Sequence, residues 1–185
     1  MTGRTEQWDS QLMLAIAAER QPWLTSIMKL LSLAGSGAIE IPFALLLLFG
    51  LWSRNRKPEV RWYAAAVLSG WALYALAKFA VHRPRPHVIS RLMHGAGWYS
   101  YPSGHAMLAP LVFGLGIMVW ATPWPSVALQ RGALAVAALI ALGIGFSRVY
   151  VGAHYPTDVI GGLLLGTAWS ALWLYRYERR GERVV

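Results

Sequence analysis

Long apolar runs separated by short polar stretches set the pattern of this chain. Five runs, roughly Ala38 to Ser53, Trp62 to His82, Ser103 to Ala121, Val127 to Phe146 and Thr157 to Tyr175, read as membrane-spanning helices. About 20 apolar residues of helix cross the hydrocarbon core, and four of the five approach or exceed that length. The first run is short, and Glu40 near its start leaves its outer boundary open. Ahead of it the pattern turns amphipathic. Trp8 to Ala18 places Leu12 and Ile16 on one side and is broken by Pro22, and Trp23 to Leu33 resumes with Lys29 inside it. Both segments are expected in or near the interface. The alternative is that the second joins the first span as one long bent helix, although AGSG at 34–37 favours a break. Glu6, Asp9, Glu19 and Arg20 interrupt the apolar core that a signal peptide would need. Gly162 and Gly166 have the spacing of a close helix contact. The expected fold is all-α, a polytopic membrane helical bundle of about five spans and at most six. It forms one domain over 1–185, with interfacial helices in 1–35, the bundle in 38–176 and a basic tail in 177–185.

Composition agrees with that class. Of 185 residues 56% are hydrophobic and 14% charged, with mean hydropathy +0.42, against about 25% charged in ordinary soluble domains. Ten tryptophans and eight tyrosines suit interfacial belts. Cysteine is absent, which excludes disulfides, a thiolate nucleophile and Cys-ligated zinc. The net charge of +9 is spread over the ends of apolar runs, so anionic lipid headgroups fit it better than nucleic acid. Arg54, Arg56, Lys57 and Arg61 fall on the same side of five spans as Arg176, Arg179, Arg180 and Arg183, which makes that side cytoplasmic.

Three polar constellations interrupt the opposite, outer side. In SRVYVGAHYPTD, Ser147 to Asp158, Arg148 offers a fork of donors for phosphate oxygens, and His154 is a nucleophile or proton carrier near neutral pH. Pro156 fits the first position of a helix, which puts Asp158 in the first turn within reach of His154. In YPSGH, Ser103 is a helix N-cap, Gly104 permits close backbone approach, and His105 lies in the first turn beside the free amides of an anion site. In KFAVHRPRP, Lys78 is a cation inside an apolar helix, Arg85 lies between two prolines, and Arg83 is an alternative cation nearby. Taken singly, each has a plainer reading: polar flanks of a membrane helix, ordinary capping, or a snorkelling lysine. Five spans, however, bring all of them to one face.

These segments resemble the three signature motifs of the type 2 phosphatidic acid phosphatase family. KxxxxxxRP is Lys78 to Pro86, PSGH is Pro102 to His105, and SRxxxxxHxxxD is Ser147 to Asp158, all at full spacing and in order. The resemblance implies a phosphatase that needs no metal or other cofactor. In it His154 attacks phosphorus, Asp158 orients His154, and His105 protonates the leaving oxygen. Lys78, Arg85, Arg148, Ser103 and the Gly104 amide hold the phosphoryl oxygens. It implies a lipid phosphate or pyrophosphate as partner within the bilayer, undecaprenyl pyrophosphate first, with phosphatidylglycerol phosphate and phosphatidic acid as alternatives. It also implies a bacterial cytoplasmic membrane with the site on the outer face. Arg83, His87, Arg91 and His94 either grip a second phosphate or are solvated loop residues. A phosphotransferase using the same phosphohistidine, and a transporter or lipid-binding protein lined by the same charges, are the rival functions.

Overall fold

The helical pattern is realised throughout the computed structural model, which describes residues 3–93, 97 and 99–179. His94, Arg180 and Arg183 lie outside the described residues. The helices are α1 (Gly3–Ala18), α2 (Pro22–Ala34), α3 (Gly37–Ser53), α4 (Lys57–Val81), α5 (Gly104–Ala121), α6 (Val127–Tyr150) and α7 (Pro156–Glu178). Proline opens α2, α4 and α7, where its missing N–H costs nothing. Inside α5, Pro110 cannot donate to the preceding turn, and residues Pro110–Leu115 adopt the wider π geometry before α-helix resumes at Gly116.

α4, α5, α6 and α7 are each long and apolar enough to span. α2 and α3 meet that test only as a pair, bent by 49° at the break. The AGSG stretch is thus a bend between consecutive helices, and counting the pair as one broken span brings the candidate crossings from four to five. α4 begins at Lys57, five residues before the expected Trp62, and α6 runs four residues past Phe146. As a result Arg148 sits in the last turn of a helix instead of in the loop where the sequence pattern puts it.

α5 is the central helix, with 61% of its apolar window buried against 17–28% for the other three spans. At one end of the bundle, Leu51, Trp62, Tyr63, Leu115, Val119 and Tyr177 form a buried cluster. Basic residues stack on aromatic rings at this end: Arg54 over Trp120 at 4.1 Å, Lys57 over Trp52 at 5.5 Å and Arg179 over Tyr175 at 4.8 Å. At the opposite end, α7 presses its small residues onto the start of α5. A methyl at Gly162 would lie 2.7 Å from the Ser103 carbonyl oxygen, and one at Gly166 would collide with the Met107 carbonyl. Backbone cannot retreat from such a contact. Gly166→Ala is therefore expected to destabilise the protein by about 1–3 kcal/mol, as overpacking does. The check is a lower melting temperature in detergent, with turnover falling because the displaced turn carries His105.

Candidate active site

Three chain segments meet at the N-terminal end of α5. α6 delivers Arg148 in its last turn. The following turn passes through Gly152, whose φ of +77° favours glycine, and presents His154 just before α7 begins. Asp158 lies in the first turn of α7, where its Oδ2 accepts the Tyr155 amide at 2.9 Å. The stretch after α4 carries Arg83 and Arg85 inward, and both are buried.

The environment of His154 fixes its tautomer. Its Nε2 faces Arg85 Nη1 at 3.2 Å, and a guanidinium can only donate, so Nε2 carries the lone pair and Nδ1 the proton. Nδ1 in turn faces Asp158 Oδ2 at 3.7 Å and Ser100 Oγ at 3.5 Å. Ser100 also donates a short hydrogen bond to Asp158 Oδ2, so it stands between carboxylate and imidazole. Asp158 is fully buried. Burial drives the His154 pKa down from 6.5 to about 4; Arg85 and Arg148 push the same way, and Asp158 opposes them in part. At neutral pH the ring is therefore uncharged, with its lone pair on Nε2.

Arg85 lies against that nitrogen, and Arg148 is near enough to act on the ring electrostatically. Arg85 is held by the Ala153 carbonyl at 2.7 Å and the Gly97 carbonyl at 2.5 Å. Burial, followed by Arg91, lowers the Arg85 pKa, while Tyr74 and Asp158 act against that shift. Arg148 donates through Nη1 to Ser32 of α2, while its buried Nε has no partner among the described residues. Lys78 donates to the Tyr99 carbonyl at 2.7 Å and lies 5.0 Å over the Tyr74 ring. Ser103 occupies the N-cap position, yet its hydroxyl makes no capping bond, and its fully buried Oγ has no partner among the described residues. The first intrahelical bond, Met107 N–H to Ser103, leaves the preceding amides from Gly104 onward ahead of the ladder. A methyl at Gly104 would lie 3.0 Å from the Tyr74 ring, so a larger residue there would push Tyr74 aside. His105 is half-buried in that first turn, with Arg148, His154 and Arg85 as its electrostatic neighbours. Unpaired buried donors beside a nucleophilic nitrogen and two arginines form an arrangement suited to a tetrahedral oxyanion.

A model of the PAP2 superfamily matches residues 43–182. The chain belongs to the PAP2 superfamily.

Phosphatidylglycerophosphatase B of Bacillus subtilis is 27% identical over 166 residues, spanning 89% of this chain and 81% of that protein. The undecaprenyl-diphosphatase of Sulfolobus acidocaldarius is 29% identical over 162 residues, spanning 85% and 72%. The crystal structure of the transmembrane PAP2-type phosphatidylglycerolphosphate phosphatase from Bacillus subtilis superposes with a TM-score of 0.89 at 26% identity, covering 96% of this chain and 88% of that one. This PAP2 protein is an integral-membrane lipid phosphatase, as the resemblance of its three motifs implies.

All eight residues singled out in the PAP2 motifs lie on the three segments that converge at this end. Arg83 does not belong among the groups of the mouth: it turns inward and donates to Asp158 Oδ1 and Asp9 Oδ2, both at 2.6 Å. It is not placed to grip a second phosphate, because two buried carboxylates already engage its guanidinium. His87 and Arg91 remain exposed, Arg91 donating to the Pro86 carbonyl at 3.2 Å. Sequence reasoning missed Ser32, Ser100 and Asp9. Asp9 had a readable signal, because it continues the apolar stripe of Met13 and Ile16 at helical spacing. Ser100 and Ser32 had none.

Proposed function

We propose that this PAP2 phosphatase cleaves a lipid pyrophosphate through a phosphohistidine at His154, with undecaprenyl pyrophosphate converted to undecaprenyl phosphate. The observation that carries the reading is the buried His154 imidazole, with Nε2 facing Arg85 Nη1 at 3.2 Å and Nδ1 facing the Asp158 carboxylate at 3.7 Å. Nε2 forms a bond to the terminal phosphorus as the bond from phosphorus to the bridging oxygen breaks. The leaving lipid phosphate takes its proton from His105, which is left neutral. Arg85, Arg148, Lys78, the Ser103 hydroxyl and the Gly104 amide spread the charge of the transferring oxygens. Asp158 steadies the imidazolium formed on attack. Water then gives its proton to His105 as its oxygen bonds to phosphorus, the N–P bond breaks, and inorganic phosphate leaves. The cations supply the charge neutralisation that a metal would otherwise provide, so EDTA is expected to leave turnover intact and orthovanadate to inhibit it. Loss of activity on chelation with recovery on adding a divalent ion would contradict this.

The lipid chain has room beside the site. A bilayer-facing groove of about 470 Å³ lies below it and not at it, lined by Pro110, Leu115, Ala141, Leu163, Leu164 and Leu174. The aromatic and basic end of the bundle is cytoplasmic in this reading and the site faces outward, with α1 at the interface through exposed Trp8, Leu12 and Leu14. A single cysteine placed at His87, in a chain with no native cysteine, is expected to react with an impermeant reagent in intact cells. Protection there, with labelling only after lysis, would reverse the orientation.

Substrate class is tested by phosphate release from undecaprenyl pyrophosphate, phosphatidylglycerol phosphate and phosphatidic acid. The leaving groups differ: a pyrophosphate expels a phosphate, whereas the two monoesters expel an alkoxide that needs a proton. General acids contribute roughly 10²–10⁴-fold where that need is full. His105→Ala is therefore expected to depress turnover of the monoesters more than turnover of the pyrophosphate. Preference for a monoester by the unmodified protein would replace the pyrophosphate assignment. The acid limb of kcat/KM, after allowance for ionisation of the substrate phosphate, is expected near the His154 value of about 4. Protonation removes the Nε2 lone pair, so activity falls as pH drops through that value. A limb at 6.5 would contradict the buried neutral ring.

A further inference from the structure

Behind the catalytic carboxylate lies a second layer of charge that the three motifs do not contain. Arg83 Nη1 donates to Asp158 Oδ1 at 2.6 Å and to Thr157 Oγ1 at 2.7 Å, and Arg83 Nη2 donates to Asp9 Oδ2 at 2.6 Å. Thr157 donates its hydroxyl to Asp9 Oδ2 at 2.6 Å and its amide to Asp9 Oδ1 at 3.0 Å. Asp9 and Asp158 are fully buried and Arg83 nearly so, its guanidinium 4.1 Å over the Tyr155 ring. The Arg83 carbonyl accepts the Ser100 amide at 2.7 Å, so the same residue also places the hydroxyl between Asp158 and His154.

We infer that Asp9, on the N-terminal helix α1, and Arg83 are positioning residues for the phosphotransfer: Arg83 shared between Asp9 and Asp158 fixes the carboxylate that orients His154. This rests on the phosphohistidine reading above. The physical argument is one of charge balance. Arg83 paired with Asp158 alone would neutralise it, and His154 would face a dipole. Asp9 brings a second negative charge, so one net anion remains behind the ring to stabilise the imidazolium formed on attack. Burial works against the Arg83 charge, yet the two carboxylates outweigh it and raise its pKa. A buried cation so strongly paired stays charged throughout the working range. α1 is thereby a part of the site, although it lies before the residues that the family model matches.

The test uses the full-length protein in detergent. Asp9→Asn and Arg83→Gln are each expected to lower kcat by roughly 10–100-fold with KM little changed, the scale typical of groups that orient a functional side chain by hydrogen bonding. Their pH profiles separate electrostatic positioning from general loosening. The charged or titratable groups facing His154 and Asp158 are Arg85, Arg148, His105, Lys78, Arg83 and, through Arg83, Asp9 and Tyr155. Removing the Asp9 charge leaves Arg83 to neutralise Asp158, so the acid limb assigned to His154 moves to lower pH. Removing the Arg83 charge frees Asp158, so the limb moves to higher pH. Wild-type kcat in Asp9→Asn, or limbs that move together or not at all, would overturn the inference. Should Asp9→Asn give no monodisperse protein, Arg83→Gln alone decides: a lowered kcat with the acid limb moved to higher pH supports the inference, whereas a wild-type kcat with an unmoved limb refutes it. His154→Ala is run alongside. Turnover by that variant would overturn the phosphohistidine reading itself, while an inactive His154→Ala beside a fully active Asp9→Asn removes only the role given to Asp9.

Discussion

His154→Ala is expected to be folded and to release no phosphate above background, a loss of at least about 10³-fold in kcat. Truncation removes the imidazole whose Nε2 faces Arg85 at 3.2 Å, and His105 cannot replace it from the first turn of α5. The substitution deletes a neutral buried ring, and Arg85 keeps the Ala153 and Gly97 carbonyls as partners. The fold is therefore expected to survive, and a near-normal melting temperature with absent turnover is the result to look for. Substantial turnover by the folded variant would mean that another group attacks phosphorus.

Asp158→Asn is expected to cost on the order of 10³–10⁴-fold in kcat, by analogy with amide replacement of an orienting carboxylate elsewhere. An amide presents an N–H where the carboxylate presents only acceptors. It can pair with His154 through the wrong nitrogen, leaving the proton on Nε2 and no lone pair to attack. It also leaves Arg83 without one of its two buried anions, so a drop in melting temperature should accompany the kinetic loss. KM is expected to change little, because the phosphate ligands lie on the other side of the ring. An equal effect through KM alone would place Asp158 in substrate binding and contradict the orienting role.

The spans and the three motifs were legible because each depends on local chemistry. Apolar length marks a crossing, proline marks a helix start, and the fixed spacing between Arg148, His154 and Asp158 survives any small error in helix ends. Helix ends themselves were less legible. The pattern stopped α6 at Phe146 because Ser147 and Arg148 are polar, but Ser147 bonds the Ile144 carbonyl of its own helix and Arg148 finds Ser32 on α2, so the helix carries both into the bundle. The role of α1 was hidden for a different reason. Asp9 looks like one more charge on an amphipathic helix until the fold brings Arg83 from 74 residues away. Likewise Arg83 in RPRP reads as either a cation for a second phosphate or a solvated loop residue, and only tertiary structure shows that two carboxylates engage it. Ser103 reads correctly as an N-cap position, whereas the freedom of its hydroxyl appears only once no capping bond forms.

The central claim is a covalent bond from His154 Nε2 to phosphorus, and rapid acid-free quenching of the purified protein turning over a lipid substrate labelled in its terminal phosphate tests it most directly. The account predicts label on the protein that is stable to alkali and lost in acid, located by mass spectrometry on the peptide containing His154, and absent from His154→Ala. Turnover by the wild-type protein without any such label, or with label on another residue, would contradict it.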